Sequence, residues 1–158
     1  MRDSVAELYG NRLRIRASGI CVEQGMILLV NHNSLTATDF WAPPGGGIHF
    51  GERAEDCVKR EFLEETGMVV SIKRFLFAGE FIQPPLHAIE LFFEVSRQAG
   101  KLKKGKDPEM GTKTQIITEV KFVSPEEIKN KEANTLHGLF RLVENPAEIL
   151  DLSGYFKL

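Results

Sequence analysis

Apolar residues alternate or run together in five short segments of the chain, and this pattern predicts β-strands there. The first two segments, residues 13–22 and 26–31, are separated by a short polar stretch that ends in Gly25, which favours a hairpin. The other three span residues 69–78, 87–95 and 116–123. Pro84 and Pro85 lie between the third and fourth segments and indicate a turn there.

Residues 53–66 change to the three- and four-residue spacing of an amphipathic helix, with Cys57, Val58 and Phe62 on its apolar face. Gly67 follows at the position where a left-handed residue commonly ends a helix. Upstream, FWAPPGGG (residues 40–47) contains two Pro and three Gly, so we predict no regular element in that segment.

Two further helices are predicted near the C-terminus. Ser124 followed by Pro125 has the form of a helix cap and first helical position, and residues 134–143 predict a last helix. The order of strands, one central helix, more strands and then helices predicts an α+β or mixed α/β sandwich. Since the chain has 158 residues, we expect residues 1–158 to form a single domain.

Composition excludes several classes of protein. With 42% hydrophobic and 27% charged residues, a mostly disordered chain is not expected. The net charge of −2 argues against nucleic acid as a partner, since phosphate binding needs a basic surface. The one basic cluster, GKLKKGK at residues 100–106, has two interpretations: a solvated hairpin loop, or a contact to a substrate phosphate or nucleic acid.

The cysteines and the lengths of the apolar runs indicate in which cellular compartment the protein is expected. Cys21 and Cys57 form no disulfide framework and no paired metal motif, which favours a reducing, cytoplasmic compartment. The N-terminus lacks the apolar run of a signal peptide, and no stretch is long enough to cross a bilayer, so no membrane partner is expected.

Three carboxylates near the end of the central helix carry the candidate chemistry. Glu61, Glu64 and Glu65 share a helix face, where they repel one another and face the negative end of the helix dipole. One interpretation is a solvated helix face. The other is a divalent cation between them, Mg²⁺ by ligand type or alternatively Mn²⁺, which would remove the repulsion.

Two other features accompany these carboxylates. Glu52 and Arg60 are eight residues apart, about two helical turns, and are interpreted as a structural ion pair that holds the preceding loop against the helix. An exposed pair of this kind would contribute little. The glycines Gly45, Gly46 and Gly47 would let the backbone approach the helix or a ligand closely.

Residues 46–68, GGIHFGERAEDCVKREFLEETGM, resemble the Nudix box G-x5-E-x7-R-E-U-x-E-E-x-G-U, in which U is a bulky apolar residue. Every position of the box is matched. The resemblance implies a Nudix-type α/β/α sandwich with a mixed sheet. It also implies a hydrolase in which water attacks phosphorus and cleaves a nucleoside diphosphate linked to another moiety, such as a nucleotide, a nucleotide sugar or an ADP-ribose-like compound.

Carried over residue by residue, the resemblance implies that a Mg²⁺ or Mn²⁺ cofactor is bound by Glu61, Glu64 and Glu65. The general base would be one of these or a glutamate outside the box. The candidate catalytic residues are Glu64, Glu61, Glu109 and Glu119. The candidate substrate-binding residues are Gly45, Gly46, Gly47, Trp41 and Arg60.

Substrate and assembly are less defined by the motif. Pro84 follows the box by sixteen residues, near a position that some Nudix subgroups associate with ADP-ribose, although Pro84 and Pro85 also fit an ordinary turn. Members of the family are often homodimers. Two alternatives stay open: a nucleotide-sensing Nudix domain without catalysis, and an isomerase of the same fold that would need a pocket cysteine such as Cys21.

Overall fold

The computed structural model describes residues 2–32, 39–105 and 117–158. These ranges contain eight strands that join one mixed sheet, together with three α-helices, so the predicted mixed α/β architecture is confirmed. The strands are β1 Arg12–Glu23, β2 Met26–His32, β3 Phe40–Ala42, β4 Gly45–Gly47, β5 Val69–Gln83, β6 Leu86–Ala99, β7 Ile117–Val123 and β8 Gly154–Lys157. The helices are α1 Arg2–Tyr9, α2 Ala54–Thr66 and α3 Pro125–Asn130.

Strand β1 joins the two halves of the sheet. It runs parallel to β6, which continues through β5 to β8. It also pairs antiparallel with β4 and, at its C-terminal end, with β2, which in turn carries β3 and β7. The turn from β1 to β2 contains Gln24 and Gly25, both with positive φ, as a tight hairpin of right-handed twist requires.

The sheet has an apolar core on each face. On one face, Val58 and Phe62 of α2 pack against Ala17 and Cys21 of β1. On the other face, Ile128 of α3 and the 3-10 turns near the C-terminus pack against the central strands. Helix α2, the sheet and the C-terminal segment therefore form the three layers of a sandwich.

The C-terminal end of α2 is closed by a backbone cap and by the basic loop. Gly67 adopts φ 73° and donates its N–H to Leu63 O at 3.1 Å, as predicted from its place in the sequence. Lys103 N and Gly105 N then donate to Thr66 O and Glu65 O at 2.9 and 2.8 Å. The loop interpreted as a solvated hairpin instead satisfies carbonyls that the helix end would leave unpaired.

Two predictions about secondary structure are wrong. Residues 40–47 form the short strands β3 and β4, because the glycines of β4 fit in register beside β1. Residues 134–143 form two 3-10 turns, Ala133–Thr135 and Gly138–Arg141, in place of an α-helix. Between these turns the chain is extended, since Leu136 bridges to Trp41 and His137 N donates to Trp41 O at 2.9 Å.

The remaining helices and strands extend the predicted set. Helix α1 and strand β8 have no counterpart in the sequence pattern. Helix α3 begins as predicted, with the Ser124 side chain accepting the Glu127 N–H at 3.1 Å. Within the three described ranges, no helix has both the length and the apolar character that crossing a membrane requires.

We expect Gly19→Ala to destabilise the fold by about 1–3 kcal/mol, because an added methyl group overpacks the interface between β1 and α2. A Cβ at Gly19 would lie 2.5 Å from Cε2 of Phe62 and 3.0 Å from Cγ1 of Val58. Urea unfolding measures the change. In a double-mutant cycle with Phe62→Leu, the two substitutions should be less destabilising together than their sum, and strict additivity would contradict the close approach.

Candidate active site

The three glycines of β4 are held between β1 and α2. A Cβ at Gly45 would lie 2.0 Å from Ser18 Oγ, and a Cβ at Gly46 would lie 2.2 Å from Glu61 Oε1. Larger residues at these two positions would force a shift of the sheet or of the helix carboxylate. A Cβ at Gly47 would meet nothing within 4 Å. The strand therefore needs glycine at its first two positions for packing, and its third position faces open space.

Arg60 organises the polar side of α2. Its guanidinium donates to both oxygens of Glu52, from Nε at 2.7 Å and from Nη2 at 3.1 Å. Nη1 donates to Glu61 Oε1 at 2.8 Å and to Glu64 Oε2 at 3.2 Å. Nη2 also reaches Gly47 O at 3.2 Å. One side chain thus joins the loop before the helix, two helix carboxylates and the glycine strand.

The Glu52–Arg60 pair lies where the sequence places it, with only 23% of the Arg60 side chain exposed. The hydrogen bond from Arg60 lowers the pKa of Glu52 to about 2, and the His49 N–H, which donates to Glu52 at 3.0 Å, acts in the same direction. Glu52 therefore stays ionised at neutral pH. The Glu52 carboxylate thus accepts hydrogen bonds both from the loop backbone at His49 and from Arg60 on the helix.

Glu65 is the least satisfied of the carboxylates. Its side chain is only 3% exposed, and Oε1 accepts the Gly45 N–H at 3.2 Å. Oε2 is buried and has no hydrogen-bond partner among the described residues. Burial chiefly, and then the neighbouring Glu61 carboxylate, raises the pKa of Glu65 well above its usual value. A buried carboxylate with an unused oxygen is costly unless a cation or proton compensates it.

The residues fit a divalent cation in kind. Glu61, Glu64 and Glu65 supply the hard oxygen donors that Mg²⁺ prefers, and Glu65 has an oxygen left unpaired. Their arrangement differs from the single convergent patch that the helix spacing suggests. Across residues 2–32, 39–105 and 117–158, no three His, Cys, Asp or Glu side chains converge on a common metal position, because Arg60 draws Glu61 and Glu64 toward itself.

A second buried polar cluster lies outside the Nudix-like segment. Glu90 of β6 is 4% exposed, and its Oε2 accepts from Arg16 Nε at 3.1 Å and from Ser18 Oγ at 3.0 Å. Its Oε1 lies 2.7 Å from His137 Nε2. Sequence reasoning missed this cluster. The available signal was Glu90 itself, a carboxylate between Ile89 and Leu91 in the apolar run HAIELFFEV, where burial makes a partner necessary.

The hydrogen bonds of His137 define its role in this cluster. The Leu139 N–H donates to His137 Nδ1 at 3.0 Å, so Nδ1 is an acceptor and the proton on Nε2 points to Glu90. Burial alone would raise the pKa of Glu90, but His137 and Arg16 outweigh it and hold that pKa well below its usual range. Glu90 is therefore an ionised carboxylate fixed by three donors.

The other predicted site residues lie in varied surroundings. Trp41 is 4% exposed, with the ammonium groups of Lys131 and Lys121 lying 4.4 and 5.3 Å from its ring centroid. This burial leaves little of Trp41 for a substrate to contact. Glu119 is half exposed and lies 3.7 Å from Lys121 Nζ. Glu109 falls outside the described residues and stays a prediction.

Both cysteines are buried in the core beside α2. Burial raises the pKa of the Cys21 thiol to about 11 and that of Cys57 to about 12. These thiols stay protonated at neutral pH, while a cysteine nucleophile needs a thiolate. The arrangement gives no support to an isomerase that relies on Cys21.

A cavity of about 220 Å³ lies away from the helix carboxylates, between α3 and the 3-10 turns. Lys129, Lys131 and Arg141 are among the residues that line it. The candidate site lies at α2 instead, where the carboxylates, the glycine strand and Arg60 meet. The cavity is therefore separate from the candidate site. Chemistry, and not cavity volume, identifies the candidate site.

Comparison with known proteins agrees with the motif. The NUDIX domain family model matches residues 12–143. The ADP-ribose pyrophosphatase of Methanocaldococcus jannaschii is 32% identical over 95 residues, which cover 59% of this chain and 56% of that protein. The NAD-capped RNA hydrolase NudC of Pseudomonas syringae is 30% identical over 83 residues, covering 52% of this chain and 29% of that protein. The matched segment thus spans about half or less of these relatives.

Solved structures share the fold. A NUDIX hydrolase from Nitrosomonas europaea superposes with a TM-score of 0.71 at 17% identity, over 83% of this chain and 85% of that one. A MutT protein from Methanosarcina mazei gives a TM-score of 0.66 at 23% identity, over 89% and 92% of the two chains. The three-layer sandwich is therefore an arrangement that proteins of this kind adopt.

We expect Arg60→Lys to destabilise the fold by about 1–3 kcal/mol, because an ammonium group cannot replace the two-pronged contact with Glu52 while also reaching Glu61. Chemical denaturation of the purified protein measures the change. The neighbouring Lys59 is exposed, and Lys59→Gln provides the matched control, which should leave stability nearly unchanged. Equal stability of Arg60→Lys and the wild type would contradict the central role of Arg60.

The lowered pKa of Glu90 predicts a pH-dependent difference between wild type and Glu90→Gln. The carboxylate stabilises the folded state fully above its usual pKa of 4.5, and this contribution disappears as pH falls toward the lower folded-state value. The stability gap, measured by urea unfolding from pH 7 to pH 3, should therefore shrink below about pH 4.5. Glu55→Gln on the exposed face of α2 is the control; a gap for Glu90→Gln that stays constant over this range would refute the assignment.

Proposed function

The chain belongs to the NUDIX family, and on that premise we propose that it is a metal-dependent pyrophosphohydrolase of a nucleoside diphosphate linked to another moiety. The observation that carries the proposal is the set of carboxylates on α2, with an unpaired oxygen on Glu65, held against the glycine strand by Arg60. We treat residues 1–158 as a single catalytic domain, since strand β1 contributes to both apolar cores.

Glu61, Glu64 and Glu65 are the residues that would hold the cation. A divalent ion bound there would place positive charge beside the phosphate oxygens and would make water easier to deprotonate. Three carboxylate oxygens suit Mg²⁺, with Mn²⁺ the alternative that the same ligands accept. Arg60 keeps Glu61 and Glu64 oriented, and Gly45 N does the same for Glu65.

The reaction needs a group that takes a proton from the attacking water as the bond to phosphorus forms and the phosphate leaving group departs. Glu64 is the most exposed of the three carboxylates, with 28% of its side chain accessible, so it is best placed to meet water. Glu61 is the next candidate within the helix. Glu109 and Glu119 remain candidates outside it.

An ADP-ribose-like compound is the first substrate to test. The relative from Methanocaldococcus jannaschii is named for ADP-ribose, and the relative NudC for an NAD cap, which also contains an adenosine diphosphate unit. Phe40 is 37% exposed and its ring centroid lies 6.2 Å from that of His137, so it offers a surface on which a base could stack. Pro84 lies in the turn between β5 and β6 and adds little to this choice.

A nucleotide-sensing role without catalysis is the second candidate. It is favoured by the bonds that hold Glu61 and Glu64 to Arg60 and away from a common cation position. A sensor would bind the nucleotide tightly and release no product. The two functions therefore separate in one assay.

The test is a hydrolysis screen in Mg²⁺ and Mn²⁺ with ADP-ribose, NADH, nucleotide sugars, diadenosine polyphosphates and deoxynucleoside triphosphates, with products separated by chromatography. We expect turnover of at least one compound, loss of turnover in EDTA, and a fall in kcat on the order of 10²–10⁴-fold in Glu64→Gln. Glu55→Gln is the matched control, because Glu55 is exposed on the same helix and matches no motif position.

Each outcome has a defined meaning. No product from any compound, or a Glu64→Gln variant as active as wild type, would overturn the hydrolase proposal. Tight nucleotide binding without turnover would establish the sensor instead. Melting temperatures of the variants exclude unfolding as the cause of any loss.

A further inference from the structure

We propose that Arg16 of β1, together with the bare backbone at Gly47, forms a binding subsite for the phosphates of the substrate, an inference that rests on the proposed function. Neither residue has a charged or catalytic role in the motif: Arg16 lies outside it, and Gly47 occupies one of its variable positions. Their pairing appears only in the folded chain. The ligand chemistry is that of a diphosphate.

Register places the two residues side by side. Arg16 is directly opposite Gly47 in the antiparallel pair of β1 and β4, and directly beside Glu90 in the parallel pair of β1 and β6. Directly opposed residues of an antiparallel pair project to the same face of the sheet. The Arg16 side chain and the open space at Gly47 therefore share one face.

Glu90 fixes the guanidinium but leaves most of it unused. Arg16 Nε donates to Glu90 Oε2 at 3.1 Å, and in the described part of the chain no hydrogen bond occupies the two terminal nitrogens of this guanidinium. An arginine has five N–H donors in a rigid fork that matches phosphate oxygens. About a quarter of the side chain is exposed, so the protein covers Arg16 only in part.

Further hydrogen bonds hold the Glu90 carboxylate that pairs with Arg16. Ser18 Oγ and His137 Nε2 hold the carboxylate, and Leu139 N in turn holds the His137 ring. This network fixes the plane of the guanidinium before any ligand arrives. Preorganised donors bind an anion without further loss of side-chain entropy.

Gly47 supplies the space beside this donor. A Cβ at Gly45 or Gly46 would collide with a neighbouring side chain, but a Cβ at Gly47 would meet no atom within 4 Å. Packing of the folded chain therefore does not explain a glycine at this position. Room for a ligand against the backbone does explain it.

The subsite also adjoins the helix carboxylates. Glu65 accepts the N–H of Gly45, two residues before Gly47, and Glu61 lies against Gly46. Because side chains alternate along a strand, Gly47 and Arg16 face away from Gly46 and Glu61. A diphosphate bound at Arg16 would therefore lie across β4 from the carboxylates proposed to hold the cation.

The competing explanation is that Arg16 only neutralises the buried Glu90. Substitution would then change stability and leave ligand affinity intact. Arg16→Lys keeps the charge next to Glu90 and removes the fork, and Gly47→Ala leaves the Glu90 cluster untouched. These two variants separate the explanations.

The experiment measures ADP and inorganic pyrophosphate binding by calorimetry in EDTA, and KM and kcat in Mg²⁺ for the best substrate of the screen. We expect Arg16→Lys and Gly47→Ala each to weaken ADP binding about tenfold, equivalent to 1.4 kcal/mol, and to raise KM more than they lower kcat. Gly47→Ala should melt at the wild-type temperature. Arg97→Lys is the matched control, because Arg97 is another strand arginine paired with a glutamate, Glu23.

If both variants bind ADP and pyrophosphate as tightly as wild type, the subsite is refuted even where hydrolysis is intact. If wild type binds ADP, the variants bind it weakly, and no compound is hydrolysed, the subsite stands and the hydrolase proposal fails. If wild type binds neither probe in EDTA, the subsite is refuted, and the hydrolysis screen in Mg²⁺ and Mn²⁺ decides the hydrolase proposal separately.

Discussion

The guanidinium of Arg60 is the contact on which the candidate site depends. It binds Glu52 in the loop before α2, Glu61 and Glu64 on the helix, and the Gly47 carbonyl of β4. Without this cation, three carboxylates would face one another across a partly buried surface, and their repulsion would separate the loop from the helix. With it, the orientation of the helix relative to the glycine strand is determined by charge-assisted hydrogen bonds, which are directional as well as strong.

Residue spacing and capping residues predicted the helices whose limits depend on neighbouring residues in the sequence. The spacing of apolar residues and the stop at Gly67 define α2, and Ser124 defines the start of α3. The predictions are wrong where contacts between residues far apart in the sequence determine the local conformation. The sequence predicts a helix over residues 134–143, but the bridge between Leu136 and Trp41 holds the chain extended at that point, and no sequence window contains both residues.

The same distinction applies to the candidate site. The motif brings the carboxylates of α2 to attention because they are close in sequence. Glu90, Arg16 and His137 are 47 to 121 positions apart, so their contact depends on the parallel pairing of β1 with β6 and on the extended C-terminal segment. A glutamate within an apolar strand signals that a partner exists, but only the fold identifies it.

The two buried glutamates, Glu90 and Glu65, differ in one respect that matters for function. Glu90 has a donor for every oxygen and stays ionised by itself, while Glu65 keeps one oxygen unpaired. The Arg60 guanidinium is committed to Glu52, Glu61, Glu64 and the Gly47 carbonyl, so it does not satisfy the second oxygen of Glu65. The unpaired oxygen is better explained by a ligand outside the chain. The proposed cation site therefore rests on the carboxylate that the described part of the chain leaves unsatisfied, and the proposed phosphate subsite rests on the Arg16 guanidinium held by Glu90.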